Sequence, residues 1–285
     1  MIVISWNIQW GRGVDGHVDL QRIMDTAWQL GDFDILCLQE VADNYPGLAG
    51  AGSANQFAQL AALAPGFVAT EGIAVERHSA GLGRQRFGNM ILSRFAPAQV
   101  LRHQLPWPAD AAQSSMPRMA LEAVFETATG PVRIMTTHLE YYAAGQRAAQ
   151  VEALRAMQAE AAGHASNARP ANQKGSPFEP RPRDGRAVLC GDFNCDASDA
   201  LISRMQEPLT GAPSWVDAWP LARPGETRPC TVGVYDIAQW QGKPHRFDFF
   251  FVSQDLAAKV KRVDIDGVTQ ASDHQPLLLE IDLTR

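Results

Sequence analysis

Asp34-Ile35-Leu36-Cys37-Leu38-Gln39-Glu40 is an apolar run that ends in an amide and a carboxylate, and what precedes it decides how it folds. Residues 19–30 place Leu20, Ile23, Met24, Ala27 and Leu30 on one helical face, and Gly31 follows as a stop signal. A helix feeding a buried strand is the signature of an α/β protein. Upstream, Met1 leads straight into Ile2-Val3-Ile4-Ser5-Trp6-Asn7 with neither a basic leader nor a small-residue cleavage site, so this segment reads as a strand and not as a signal peptide.

Downstream, Ser53 is expected to cap a second helix carrying Phe57, Leu60, Ala61 and Leu63, and strands are expected near 67–76, 87–93 and 98–104. Residues 119–126 alternate, turn at Thr129-Gly130-Pro131 and continue over 132–137, which predicts a hairpin and therefore antiparallel pairing. A long helix is expected over 145–162. Residues 163–186 have no period and are rich in Gly, Pro, Asn and Ser, so a long flexible loop is expected there. In it Arg169, Lys174, Arg181, Arg183 and Arg186 outnumber Glu179 and Asp184, a surface for a polyanion or simply a solvated loop. Strands resume at 187–190, 247–252, 260–265 and 277–283.

The 285 residues carry 25 Lys plus Arg against 31 Asp plus Glu, a net charge of −6. That excludes a globally basic nucleic-acid coat, and 46% hydrophobic with 20% charged residues excludes a disordered chain. Cys37, Cys190, Cys195 and Cys230 have no paired metal spacing and make no disulfide framework, so they read as small hydrophobes in a reducing compartment. No stretch approaches the roughly 18 apolar residues of a membrane span, and a soluble, cytoplasmic protein is expected. Without a composition break or repeat, residues 1–285 are expected to form a single domain.

The predicted strands repeatedly end in the same few polar types. Asn7 closes the first and Glu40 the second; Asn89 opens Met90-Ile91-Leu92; His138 follows Ile134-Met135-Thr136-Thr137. Asp192 and Asn194 follow Val188-Leu189-Cys190-Gly191, Asp248 lies in a Phe-rich strand, and Asp273-His274 precede Leu277-Leu278-Leu279. Strand ends of a common sheet system converge, so these residues are candidates for one site. Oxygen donors from Asn7 and Glu40, with Asp273 as a third, suit a hard divalent ion, Mg²⁺ or Mn²⁺; the absence of HExxH disfavours zinc. Asp248 can orient His274 as an acid or base. Asp192 can then orient or deprotonate an attacking water while Asn194 donates to a phosphoryl oxygen. Taken singly each residue also has a structural explanation, in strand ends, turns or a satisfied core histidine. Asp248 is the most telling, because a carboxylate flanked by Phe247, Phe249, Phe250 and Phe251 is costly to bury unpaired.

Trp6-Asn7, Leu38-Gln39-Glu40, Gly88-Asn89-Met90-Ile91-Leu92-Ser93, Thr137-His138-Leu139, Gly191-Asp192-Phe193-Asn194, Arg246-Phe247-Asp248-Phe249 and Ser272-Asp273-His274-Gln275-Pro276-Leu277 arrive in the order of the motifs of the endonuclease/exonuclease/phosphatase superfamily, which the chain resembles along nearly its whole length. The resemblance implies one domain folded as a four-layer α/β/β/α sandwich, two mixed and mainly antiparallel sheets flanked by helices, with a Mg²⁺-dependent phosphoesterase site at one end of the sheets. It implies metal binding by Asn7 and Glu40 with Asp273 beside the metal, a nucleophilic water positioned by Asp192 with Asn194, and His274 at the scissile phosphate, oriented by Asp248. It also implies phosphate contacts from His138 and Asn89, a recurring arginine at Arg118, and a substrate-bordering loop at Tyr141-Tyr142, unless those rings pack against the 145–162 helix.

Abasic-site endonucleases of the superfamily carry a Trp-rich segment and a Gly-Trp-Arg-Ile-Asp-Tyr type motif; residues 231–240 and His245-Arg246-Phe247-Asp248 depart from both, which disfavours DNA repair. A phosphodiesterase or nuclease is therefore expected, on a short or single-stranded nucleic acid or a smaller phosphodiester. Net acidity disfavours long tracking along a duplex, which needs many Lys and Arg contacts to phosphates. The alternatives are a phosphomonoesterase on a small or lipid phosphate and, outside enzymes, a non-catalytic module that binds phosphate or nucleic acid.

Overall fold

A computed structural model describes residues 1–167, 174–181 and 183–284. The chain runs β1 (Ile2–Asn7), α1 (Leu20–Leu30), β2 (Ile35–Asp43), α2 (Gln56–Leu63), β3 (Val68–Ser79), β4 (Gly83–Ser93), β5 (Gln99–Gln104), β6 (Met119–Thr127), β7 (Gly130–His138), α3 (Ala144–Ser166) and β8 (Ala187–Asp192). It continues as α4 (Ala200–Gln206), β9 (Trp215–Asp217), α5 (Ala218–Ala222), β10 (Asp248–Ser253), β11 (Val260–Ile265) and β12 (Leu277–Ile281).

The strands form two six-stranded sheets, ordered β11-β12-β1-β2-β4-β3 and β5-β6-β7-β8-β10-β9. Each contains one parallel pair, β1 with β2 and β7 with β8, inside otherwise antiparallel neighbours. Side-chain alternation explains the apolar runs. In β2, Ile35 and Cys37 join the core between the sheets, while Leu36 and Leu38 pack under α1 and α2. In β8, Val188 and Cys190 face the other sheet, while Ala187 and Leu189 pack under α3 and α4. Strands covered on both faces are apolar at every position, and the result is the expected four-layer α/β/β/α sandwich. The four cysteines are free, and Cys37, Cys190 and Cys195 are buried.

Several local expectations shift. Asp19 caps α1, accepting from the Arg22 amide, and α2 is capped by Asn55, not Ser53. Helix α3 extends beyond 162 to Ser166, so the irregular stretch starts later. Part of it, Arg169 included, lies outside the described residues, and its described end is tied down. Arg183 is buried, its Nε donating to Glu122 at 3.1 Å and its Nη1 to Glu160 at 2.6 Å; Arg186 donates to Thr129. These two cations are held by the protein, not offered to a polyanion. No helix among the described residues is long and apolar enough to cross a membrane.

Candidate active site

The two parallel pairs bring their carboxyl ends to the same end of the sandwich. Asn7 is in register with Gln39, and a bulge between Leu38 and Val41 gives β2 an extra residue there, Glu40, with φ of 60°. Bulges re-aim side chains at sheet ends, and this one puts Glu40 beside Asn7, whose Nδ2 donates to Glu40 Oε1 at 3.0 Å. In the second sheet, Asp192 is in register with His138 on one side and Asp248 on the other. Gly191 makes that arrangement possible: its φ is 135°, and a Cβ would lie 1.9 Å from the Thr137 carbonyl oxygen.

Three nitrogens converge on one oxygen, Asp192 Oδ2: Asn7 Nδ2 donates to it at 3.0 Å, and His138 Nε2 and His274 Nε2 approach it to 3.5 and 3.6 Å. The other ring nitrogen of His274, Nδ1, lies 2.9 Å from Asp248 Oδ2. The 272–274 turn that carries this imidazole is pinned to β1, with Ser272 Oγ donating to the Asn7 carbonyl at 2.8 Å and the Trp6 indole donating to the His274 carbonyl at 2.9 Å. Asp192 Oδ1 is held by the backbone N–H of Asn194 at 2.8 Å. Asp192, Asp248 and His274 present ligand atoms within 4.8 Å of one another, a spacing a metal ion could also span.

Electrostatics separate the two histidines. Burial disfavours the charged form of His274, but Asp248, Asp192 and Asp273 outweigh it and raise its pKa well above the ordinary value. His138 is pushed well below, by burial and then by Arg118 and His274, so it is neutral. Burial raises Asp192 despite the opposing charge of His274, and burial together with the Asp273 charge raises Glu40.

Glu40, Asp192, Asp273, His138, His274, Arg118, Asn194 and Tyr141 all line one cleft of about 550 Å³. Asp273 Oδ2 accepts from Gln9 Nε2 at 2.9 Å and from the Trp240 indole at 3.0 Å. Arg118 is buried against Glu140, Nε to Oε2 3.2 Å, and its Nη1 has no protein partner. Tyr141 and Tyr142 are exposed at the rim, and Tyr141 meets Trp240 edge-on with centroids 5.8 Å apart. They border the cleft and do not pack beneath α3.

Three amides make contacts other than those expected. Asn89 is buried outside the cleft lining and donates to the Met119 carbonyl at 3.3 Å, next to Arg118, so it braces the segment that carries that arginine. Asn194 lines the cleft, but its Nδ2 donates to the Leu139 carbonyl at 2.8 Å, so its grip on Asp192 is through the backbone. Asn7, too, offers its nitrogen to Glu40 and Asp192, while its oxygen accepts the Gln9 N–H at 3.1 Å. Holding a cation through that oxygen requires the amide to turn. The cleft residues Gln9, Trp10, Trp240 and Gln239 were not anticipated. For Trp10 the proximity to Asn7 was a usable signal; the aperiodic 231–240 segment gave none.

Carboxylates and imidazoles gathered at the ends of the parallel pairs of a two-sheet sandwich define a phosphoesterase fold. Residues 4–274 match the profile of the Endonuclease/Exonuclease/phosphatase family, and the chain belongs to that family. Its members are generally phosphoesterases and generally depend on a divalent metal. Among solved structures, an endonuclease/exonuclease/phosphatase from Beutenbergia cavernae is 22% identical with a TM-score of 0.67, the match covering 100% of this chain and 72% of that one. A mannosyl-6-phosphatase from Bacteroides thetaiotaomicron is 18% identical with a TM-score of 0.65, covering 99% of each chain. The human Nocturnin catalytic domain with bound sulfate is 19% identical with a TM-score of 0.62, covering 100% of this chain and 94% of that one. No curated protein is similar enough in sequence to count as a relative.

Proposed function

We propose that this chain is a divalent-metal-dependent phosphodiesterase or nuclease. The observation that carries the reading is the convergence of Asn7, His138 and His274 on Asp192 Oδ2, with Asp248 behind His274. A carboxylate so placed orients an attacking water. His274, held protonated by its three carboxylates, donates to a phosphoryl oxygen or to the leaving group; neutral His138 and Arg118 Nη1 stabilise the charge that grows on the phosphate.

A metal fits the donor set. Glu40 and Asp273 face one cleft as like charges, and burial first and the Asp273 charge second make Glu40 hard to ionise; oxygen donors of this kind suit Mg²⁺ or Mn²⁺. Glu40 and Asp273 would hold it, with Asn7 after its amide turns. When bound, the ion supplies Lewis-acid charge to the phosphoryl and leaving oxygens. The Asp192–Asp248–His274 group is the weaker candidate, because Asp248 already engages His274 Nδ1, as an acid–base pair requires.

A diester is favoured over a monoester because the cleft lining carries, besides its polar residues, two sets of aromatic residues, Tyr141 with Trp240 and Tyr45 with Phe87, that can hold groups on the phosphate. The test is a panel of single-stranded DNA and RNA, short oligonucleotides, aryl phosphodiesters and sugar monophosphates, with Mg²⁺ or Mn²⁺ and then EDTA. EDTA-sensitive turnover of diesters is expected, and Asp192→Ala and His274→Ala should each lower it by about 10² to 10⁴-fold. Inorganic phosphate as the main product would favour the phosphomonoesterase; ligand binding with no turnover at all would leave the non-catalytic module.

A further inference from the structure

Five non-glycine residues among those described have positive φ: Gln9 at 44°, Trp10 at 46°, Glu40 at 60°, Asn44 at 57° and Asn194 at 50°. Such backbone is costly for residues with a Cβ, Asn excepted in part, and it collects where function requires it. Glu40 and Asn194 belong to the proposed centre. Gln9 serves that centre through Asp273 and Asn7, which leaves Trp10 and Asn44 unexplained, yet they place Trp10 and Tyr45 in the cleft lining, with Val75, Phe87 and Met116.

This wall is separate from the aromatic set around Trp240. Tyr45 and Phe87 meet edge-on at 6.1 Å, and the Arg77 guanidinium lies 5.3 Å over the Tyr45 ring; among the described residues no ring contact joins them to Tyr141, Trp240 or Phe247. The wall is also braced from behind. The Trp10 indole donates to the Ala49 carbonyl at 2.9 Å and Gln56 Nε2 donates to the Trp10 carbonyl at 2.7 Å. Gln85 Nε2 donates to the Asn44 carbonyl at 2.6 Å, and Gln85 Oε1 in turn accepts from Arg77 at 3.1 Å. Trp10 and Tyr45, held at the cleft by strained backbone and a second layer of hydrogen bonds, with the largely buried Phe87 edge-on to Tyr45, are preorganised for a ligand.

Resting on the phosphoesterase reading above, we propose that Trp10 and Tyr45, backed by Phe87, form a subsite for a flat aromatic group carried on the substrate phosphate, with Arg77 fixing the Tyr45 ring. The group is a nucleobase or an aryl alcohol; both offer the same π face, and every base can stack on such a wall.

Isothermal titration in Mg²⁺ tests this without turnover. Phenylphosphonate and methylphosphonate are titrated into the wild-type protein, and adenosine 5′-monophosphate and ribose 5-phosphate into His274→Ala. The ring-bearing ligand of at least one pair should bind about tenfold more tightly, the scale of one stacking contact. Tyr45→Ala should bring the ratio close to one, and Tyr45→Phe should restore it. A gain confined to the phenyl pair identifies an aryl group, and one confined to the nucleotide pair identifies a base. Thermal unfolding checks that Tyr45→Ala is folded; if it is not, Arg77→Ala is expected to lower the ratio in part. No ring preference in either pair, or a preference indifferent to Tyr45 and Arg77, overturns the subsite. Overturned in that way alongside EDTA-sensitive, His274-dependent turnover, it leaves the phosphodiesterase reading intact; a Tyr45-dependent preference without any turnover does the reverse.

Discussion

Asp248 sends Oδ2 to His274 Nδ1 at 2.9 Å, while its other oxygen is buried without a protein partner. A carboxylate left half-satisfied in a Phe-rich strand is worth keeping only for the charge it lends to the imidazole. Burial pulls the His274 pKa down and Asp248, the largest opposing cause, pulls it up to a value well above the usual one. The protonated form therefore persists to higher pH than in a free histidine, and is lost as pH rises through that raised value. In Asp248→Asn the principal support is gone, so the basic limb of the kcat profile should move to lower pH, with kcat/KM falling about 10² to 10⁴-fold. Stopped-time assays across pH read both; an unmoved basic limb would refute the orienting role. Asp248 was legible because its flanking phenylalanines make an unpaired charge implausible. Asn89 and Asn194 were legible as positions but not as donors: which carbonyl an amide reaches, Met119 and Leu139 here, depends on neighbours far along the chain.

Strand β6 carries a second buried carboxylate, Glu122, that sequence reading passed over. It is fully buried and accepts from Arg133 Nε at 3.0 Å and Arg183 Nε at 3.1 Å, with the His103 ring at 2.9 Å. Nothing local signals this, since Arg183 lies 61 residues further on in a stretch without period. Burial pushes the Glu122 pKa up, but His103, Arg133 and Arg183 outweigh it, and the folded value ends well below the usual range. With the folded pKa depressed, its stabilisation is complete above the unfolded value of about 4.3 and fades as pH falls below it. Glu122→Gln leaves Arg133 without its carboxylate and Arg183 with Glu160 alone, and should destabilise by about 3–5 kcal/mol at neutral pH. Denaturant titrations should show the gap to wild type narrowing between pH 5 and pH 3; a gap constant with pH would mean that the loss is steric. At the neighbouring β7–β8 pair, Gly191→Ala must displace the Thr137 carbonyl that a Cβ would overlap. It should cost on the order of 1–3 kcal/mol in backbone strain alone and lower activity further than stability, because Asp192 is the next residue.

At the scale of the whole molecule, the sandwich was readable because strands covered on both faces leave unbroken apolar runs, and because each run near the cleft stops at a polar residue. Apart from the 119–137 hairpin, strand partners were not readable from periodicity, which reports faces; the stacking of two sheets was implied by the family resemblance. The two parallel pairs finish at the same end of the stacked sheets, so the fold concentrates negative charge where Glu40, Asp192, Asp248 and Asp273 gather. Glu40 has a raised pKa from burial and from Asp273. Its ionised form is thus disfavoured on folding, and at neutral pH that lowers stability until a cation offsets it. Saturating Mg²⁺ or Mn²⁺ should therefore stabilise the protein, by about 2.7 kcal/mol at one hundred times Kd, seen as a rise of several degrees in Tm that EDTA reverses. Glu40→Gln removes both the repulsion and a ligand, so its Tm should be higher than that of wild type in EDTA and insensitive to added metal. A metal-dependent rise that survives in Glu40→Gln would move the ion away from Glu40, toward the group formed by Asp192, Asp248 and His274.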